Sequence, residues 1–141
     1  MKIYKRKGFT LVELLAVIVI LGIIMTIATT SVIKNINDSK EKAKYIAAKE
    51  IVEMSEAYFA TSAERDENGK ISDGTCVEVE TMIAAGYIES DVTNPENGEN
   101  RSSSNKLTGQ KVCKSSGSSD QTDYKAQDNK YNFDGYYYKL Q

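Results

Sequence analysis

A single carboxylate, Glu13, interrupts the 25 residues from Phe9 to Ile33, of which 18 are apolar. An acid in such a run is costly and needs a partner, yet no Lys or Arg lies between Phe9 and Ile33. Cutting the chain between Gly8 and Phe9 would create one, because the new α-amine is positive near neutral pH. That ammonium would stand about one helical turn from Glu13 of its own chain, or within reach of Glu13 on a neighbouring copy. The other residues with chemistry to offer are Cys76 and Cys113, the only cysteines. Two thiols cannot build a four-cysteine zinc site. The chain has no His, which removes the commonest general base and the commonest metal ligand. No glycine-rich phosphate loop occurs. Asp120, Asp123 and Asp128 are spaced by 3 and 5 residues, which fits no calcium loop pattern. No catalytic residue, metal or cofactor is therefore expected, and the chain is read as a non-enzyme.

The elements that must position these residues follow from composition. The chain is 40% hydrophobic over 141 residues, but that average joins one very apolar segment to a polar remainder. As a helix, Phe9 to Ile33 would be about 37 Å long, enough for a hydrocarbon core of about 30 Å. Lys2, Lys5, Arg6 and Lys7 precede it with four positive charges, and the rest of the chain carries 14 Lys/Arg against 20 Asp/Glu. The basic cluster should stay cytoplasmic and the chain after Ile33 should face outward. The acidic remainder argues against nucleic acid as a main ligand. An uncleaved signal anchor or a secretory signal peptide is the alternative reading of this segment, the second because small residues follow at Ala28 to Ser31. The apolar stretch is longer than a usual signal-peptide core of roughly 7–15 residues, and Glu13 suits neither alternative.

The stretch Lys7-Gly8-Phe9-Thr10-Leu11-Val12-Glu13-Leu14-Leu15 resembles the class III signal of type IV pilins and pseudopilins. The basic leader, the Gly before the cut, the Phe after it, the Glu four residues on and the long apolar helix all match. The resemblance implies that a prepilin peptidase cuts after Gly8 and methylates the amine of Phe9. It also implies that Glu13 pairs with the terminal amine of a neighbouring subunit inside a filament. Gly22 falls where the family often has a helix-weakening glycine. Thr30 stands where many members have a proline, and no Pro occurs before Pro95, so a proline kink is absent. Gly22 and the run Thr26, Thr29, Thr30, Ser31 remain candidates for local weakening. The detailed likeness covers roughly the first 35 residues.

Beyond Lys34 the composition turns polar while helical spacing persists. Ile36, Ala43, Ala47, Ile51, Met54 and Tyr58 share one face, and Lys40, Glu41, Lys42, Lys44, Lys49, Glu50, Glu53 and Glu56 form the solvated side. The pattern ends near Arg65, with a turn at Asp66-Glu67-Asn68-Gly69. One helix from Phe9 to Arg65 would be about 85 Å long, well beyond a membrane span. The expected organisation is a leader over residues 1–8, a hydrophobic membrane and assembly segment over 9–33, an amphipathic continuation over 34–65 and a head over 66–141. The fold class is α+β: the long helix packed on a small antiparallel sheet.

Within the head, Asp73 to Val79 reads as a turn entering a short extended segment, Glu80 to Ala85 as a short helix closed by Gly86, and Lys106 to Lys114 as a strand. The phrase Met82-Ile83-Ala84-Ala85-Gly86-Tyr87-Ile88 is similar to a segment common in Gram-positive-type pilins and in pseudopilins. Asn94 to Asp123 is polar, with Ser115 to Asp120 as an exposed loop. Asp134-Gly135 between aromatic flanks predicts a hairpin. Tyr131, Phe133, Tyr136 and Tyr138 would pack on pleated and helical surfaces, with Tyr137 pointing the other way; a sugar-binding or adhesive patch is the alternative for these rings. If the head lies outside the cytoplasm, Cys76 and Cys113 can pair; free or metal-bound thiols are the alternatives. Closing a loop of roughly 38 residues would stabilise the head by about 4 kcal/mol in the chain-entropy model. Pilins often close a C-terminal loop this way, but here 28 residues follow Cys113.

The resemblance implies a structural subunit of an extracellular pilus, which serves adhesion, motility or attachment. Before assembly it would be a single-pass protein of the cytoplasmic membrane with its head outside, solvated by lipid. Its partners would be other copies of itself, minor pilins, prepilin peptidase, and the assembly platform with its ATPase. The alternatives are a pseudopilin of a type II secretion or competence DNA-uptake machine, and a single-pass anchored protein whose head binds a ligand.

Overall fold

The computed structural model describes residues 8–117, 121 and 123–141. The basic residues Lys2, Lys5, Arg6 and Lys7, and Ser118, Ser119 and Asp120 of the serine-rich loop, lie outside the described residues. The architecture is α+β, a long N-terminal helix with a four-stranded antiparallel sheet. Two units are distinguished, Met1–Asp38 and Ser39–Gln141; helix α1, Leu11–Thr61, begins in the first and ends in the second.

In the first unit α1 presents apolar side chains on every side, from Leu11 to Ile36. The helix runs unbroken through Gly22 and Thr30. The threonines that threatened to loosen it return their hydroxyls to carbonyls one turn back: Thr26 donates to Ile23 O at 2.7 Å, Thr30 to Ile27 O at 3.3 Å, and Thr29 to Met25 O. Such back-bonding lets a polar side chain sit in an apolar setting without an orphan donor.

In the second unit the same helix becomes one-sided. Tyr45, Ala48, Ile51, Val52, Ser55 and Phe59 are buried. This face is rotated from the expected stripe: Ala47 and Ile51 are buried as anticipated, Met54 and Tyr58 are half-buried, and Ile36 and Ala43 are exposed. The aromatic anchors set the rotation. Tyr45 meets Phe133 at 5.2 Å and Tyr131 at 5.8 Å between ring centres, and Phe59 meets Tyr136 at 5.2 Å, and such rings outweigh alanines in buried area. Ser55 tolerates burial because its hydroxyl donates to Val52 O at 2.7 Å.

α1 ends at Thr61, short of Arg65. The Arg65 guanidinium turns back instead, donating from Nη2 to the carbonyls of Phe59 and Ala60 and from Nη1 to Gly69 O at 2.9 Å. It thereby satisfies carbonyls that the last turn leaves without partners. Asp66 closes the following turn, its carboxylate accepting from the amides of Asn68 and Lys70 at 2.9 and 2.8 Å.

The sheet contains β1 (Cys76–Glu78), β2 (Lys111–Lys114), β3 (Lys130–Phe133) and β4 (Tyr136–Lys139), in the order β1-β2-β4-β3. The register aligns Val77, Val112, Tyr138 and Tyr131 across it. With Phe133, these residues supply the face packed on α1. The next row, Cys76, Cys113, Tyr137 and Asn132, belongs to the opposite face because strand side chains alternate. The tyrosines therefore divide as the alternation predicts: Tyr131 and Tyr138 are buried, Tyr136 is half-buried on Phe59, and Tyr137 lies across the sheet. The hairpin turns at Asp134-Gly135 as expected, with Gly135 at φ 76°.

Helix α2, Val79–Ala84, starts one residue before the expected Glu80. Gly86 at φ 83° ends it, its amide donating to Ile83 O and that of Tyr87 to Met82 O, both at 3.0 Å. This is the paired 5→2 and 6→1 closure that glycine permits. β2 is shorter than the expected strand from Lys106, because Leu107 to Gln110 form a turn with Gly109 at φ 79°.

Asn94 and Gln110 are buried inside what the sequence presents as a polar loop. Tyr138 Oη donates to Gln110 Oε1 at 2.7 Å, Gln110 Nε2 to Asn94 Oδ1 at 2.9 Å, and Asn94 Nδ2 to Asn105 Oδ1 at 2.9 Å. The relay ties the segment between α2 and β2 to the last strand. Among the described residues no buried side-chain nitrogen or oxygen lacks a partner, as a stable buried polar network requires.

Candidate assembly site

Gly8 and Phe9 precede α1 outside any regular element, and Phe9 is 88% exposed. No neighbouring side chain crowds Gly8. Thr10 is the residue before the first helical position, where a hydroxyl can hold amides that lack intrahelical partners. Its Oγ1 accepts from the Glu13 amide at 3.3 Å. Glu13 answers with Oε2, which accepts from the Thr10 amide at 2.9 Å and from the Thr10 hydroxyl at 3.1 Å.

This reciprocal pair is a capping box. The sequence reading found Glu13 and missed Thr10, although Thr10-Leu11-Val12-Glu13 carries the Thr-x-x-Glu signature. A cation is the partner that charge alone suggests for Glu13. The structure supplies a neutral partner three residues away. Among the described residues, Glu13 Oε1 accepts nothing. Oε2 is the oxygen engaged in ordering the helix start.

The surface behind this cap is uniformly apolar, with Leu11, Val12, Leu14, Leu15, Val17 and Ile18 all exposed. One described helix, α1, is long and apolar enough near the N-terminus to cross a membrane. The pattern described as the prokaryotic N-terminal methylation motif matches residues 3–29. The chain carries a prepilin signal. No curated protein and no solved structure matches the chain. The prepilin signal belongs to type IV pilins and pseudopilins, which are structural subunits. It implies processing by a prepilin peptidase and assembly, and with the apolar helix it indicates membrane anchoring before assembly.

The remaining site residues lie in the head. Cys76 and Cys113 form a disulfide, with their Cα atoms 4.0 Å apart and directly opposed across β1 and β2. Cys113 is buried, whereas Cys76 is exposed with its Sγ 3.7 Å from Tyr137 Oη. The bond does not enclose the last 28 residues, but β2 also pairs with β4, so it braces the strand that holds the tail. Among the described residues of the head, Glu80 and Arg101 make a closer ion pair than Glu78 and Lys111, 2.7 against 3.9 Å. Arg101 donates from Nε to Oε1 at 2.9 Å and from Nη2 to Oε2 at 2.7 Å, and the Leu107 amide donates to Oε1 at 2.8 Å. The Arg101 guanidinium holds the Glu80 carboxyl below its ordinary range, and Glu80 raises Arg101 in turn. Burial pushes Tyr131 up to about 12, with Glu41 adding to the effect.

Proposed function

We propose that this chain is a type IV pilin, the subunit of an extracellular filament that assembles through its N-terminal helix. Residues 1–8 are then a leader, 9–33 the assembly segment, 34–65 its amphipathic continuation and 66–141 the head. The observation that carries the reading is the capping box, Thr10 with Glu13, standing at the start of an uncovered apolar helix inside the methylation motif.

Hydrolysis of the Gly8–Phe9 amide leaves a free amine on Phe9, the site of N-methylation, and it remains positively charged. Glu13 retains its cap through Oε2 and offers Oε1 to the ammonium of a neighbouring subunit. In the bilayer the apolar helix is solvated by lipid. In the filament it is covered by like helices, where an unpaired carboxylate would be expensive. Pairing between Glu13 and a neighbour's Phe9 amine thus serves as a register check. The disulfide suits an oxidising exterior.

Mass spectrometry of the N-terminal peptide, on protein sheared from the cell surface, tests this reading. A peptide beginning at methylated Phe9 and abundant in that fraction is expected. Processed protein confined to the membrane would assign the chain to the pseudopilins. An intact Met1, or a start near Thr30, would overturn the assembly reading in favour of an anchor or a secretion signal.

A further inference from the structure

The face of the sheet turned away from α1 carries a row of like charges. In the register, Glu78, Lys111, Lys139 and Lys130 stand side by side on β1, β2, β4 and β3. The neighbouring row, Val77, Val112, Tyr138 and Tyr131, packs on α1. Strand alternation therefore puts the charged row on the opposite side, together with the row of Cys76, Cys113, Tyr137 and Asn132. Side-chain contacts agree: Lys130 Nζ lies 5.2 Å from the centre of the Tyr137 ring, whose Oη is 3.7 Å from Cys76 Sγ.

Three lysines in one line are unfavourable for the sheet itself. Strands lie about 4.8 Å apart, so the three side chains are rooted within about 10 Å, and like charges directly opposite one another destabilise the pairing. Glu78 relieves Lys111 in part, at 3.9 Å in an exposed pair. Among the described residues neither Lys139 nor Lys130 takes part in an ion pair. The row also runs against the charge of its surroundings, since the chain from Phe9 onward has 14 Lys/Arg against 20 Asp/Glu. Beside the lysines, the Asn132 carboxamide and the Tyr137 hydroxyl add neutral hydrogen-bonding groups.

We propose that this face binds a linear acidic polysaccharide, a chain of sugars bearing carboxylates or sulfates at regular intervals. The three ammoniums take anionic groups of the polymer, and Asn132 and Tyr137 take sugar hydroxyls. A neutral glycan would leave the mutual repulsion of the lysines unrelieved. Nucleic acid fits less well on two counts. Duplex DNA carries one negative charge per about 1.7 Å of its axis, and the acidic remainder of the chain repels so dense a polymer more strongly than a sparse one. Tyr137 is half-buried with Lys130 over its ring, so it is no stacking platform for a base. Binding needs only an outward-facing head and is independent of the filament reading.

The test uses the full-length chain purified in a neutral detergent, with fluorescent chondroitin sulfate as the probe and duplex DNA and dextran as comparisons. The wild type should bind chondroitin sulfate, less tightly as salt rises, should bind DNA more weakly, and should not bind dextran. Lys111→Gln/Lys130→Gln/Lys139→Gln should weaken binding by about tenfold or more, with the disulfide formed and an unfolding midpoint no lower than that of the wild type. Lys49→Gln/Lys70→Gln/Lys125→Gln removes the same charge elsewhere and should change binding by less than about twofold. The N-terminal cations are common to all three proteins, so the difference between the variants reads the row. No binding by the wild type, or equal losses in the two triple variants, would overturn the proposal and leave the pilin reading intact. DNA bound as tightly as chondroitin sulfate, and released by the row substitutions, would overturn it in favour of a nucleic-acid surface.

Discussion

In the proposed assembly Glu13 is the residue on which the chemistry turns, and within its own chain one carboxylate oxygen already has work to do. Oε2 holds the Thr10 amide and hydroxyl, so the helix start is ordered before any neighbour arrives. Glu13→Val should leave membrane insertion intact, because it replaces an acid by an apolar residue, and should abolish most filament formation. Filament yield and membrane fractionation measured on the same cells separate the two effects. Normal yield would end the register idea. A second residue-scale prediction concerns acid. Arg101 depresses the folded pKa of Glu80, so this pair contributes stability that is present above the ordinary glutamate pKa of about 4.3 and is lost as pH falls through the lower folded value. Glu80→Gln should therefore lower head stability at neutral pH and flatten its acid limb. Denaturant midpoints compared at pH 7 and at pH 3 check this, and an unchanged slope between them would count against the pair.

At the scale of elements, two ties hold the head, and each joins segments far apart in the chain. The first is the relay from Tyr138 through Gln110 and Asn94 to Asn105. Gln110→Leu removes the acceptor of the buried Tyr138 phenol and one of the two donors to Asn94 Oδ1, and should cost about 1–3 kcal/mol. Thermal or denaturant unfolding of the full chain in detergent gives that value directly. The second tie is the disulfide between β1 and β2. Its removal in Cys76→Ser/Cys113→Ser should cost roughly 2–5 kcal/mol, read as a lower unfolding midpoint and faster proteolysis of the head. The element boundaries illustrate what propensity leaves out. β2 begins at Lys111 and not Lys106 because the Leu107 to Gln110 turn buries Leu107 and aims Gln110 inward. α1 ends at Thr61 because Arg65 takes its last carbonyls. Neither choice is visible in local apolar periodicity.

For the whole molecule, the sequence by itself determined the character of the N-terminal segment. A basic cluster at Lys2, Lys5, Arg6 and Lys7, Gly8 before Phe9, Glu13 alone in an apolar run, and helical spacing from Phe9 onward are covalent facts read at short range, because helix pairing joins residues only three and four apart. The α+β class, the Asp134-Gly135 hairpin and the glycine that ends α2 were legible for the same reason: each depends on adjacent residues. The face that α1 buries was read only in part. Spacing gives a stripe, but Tyr45 and Phe59 set its rotation by meeting rings from β3 and β4, more than 70 residues later in the chain. Likewise, Asn94 reads as a loop residue and Gln110 as part of a strand in a polar stretch until the tertiary fold closes over them, since an amide is tolerated inside only when distant partners satisfy it. The tertiary structure decided these positions because they rest on contacts whose partners no local window contains.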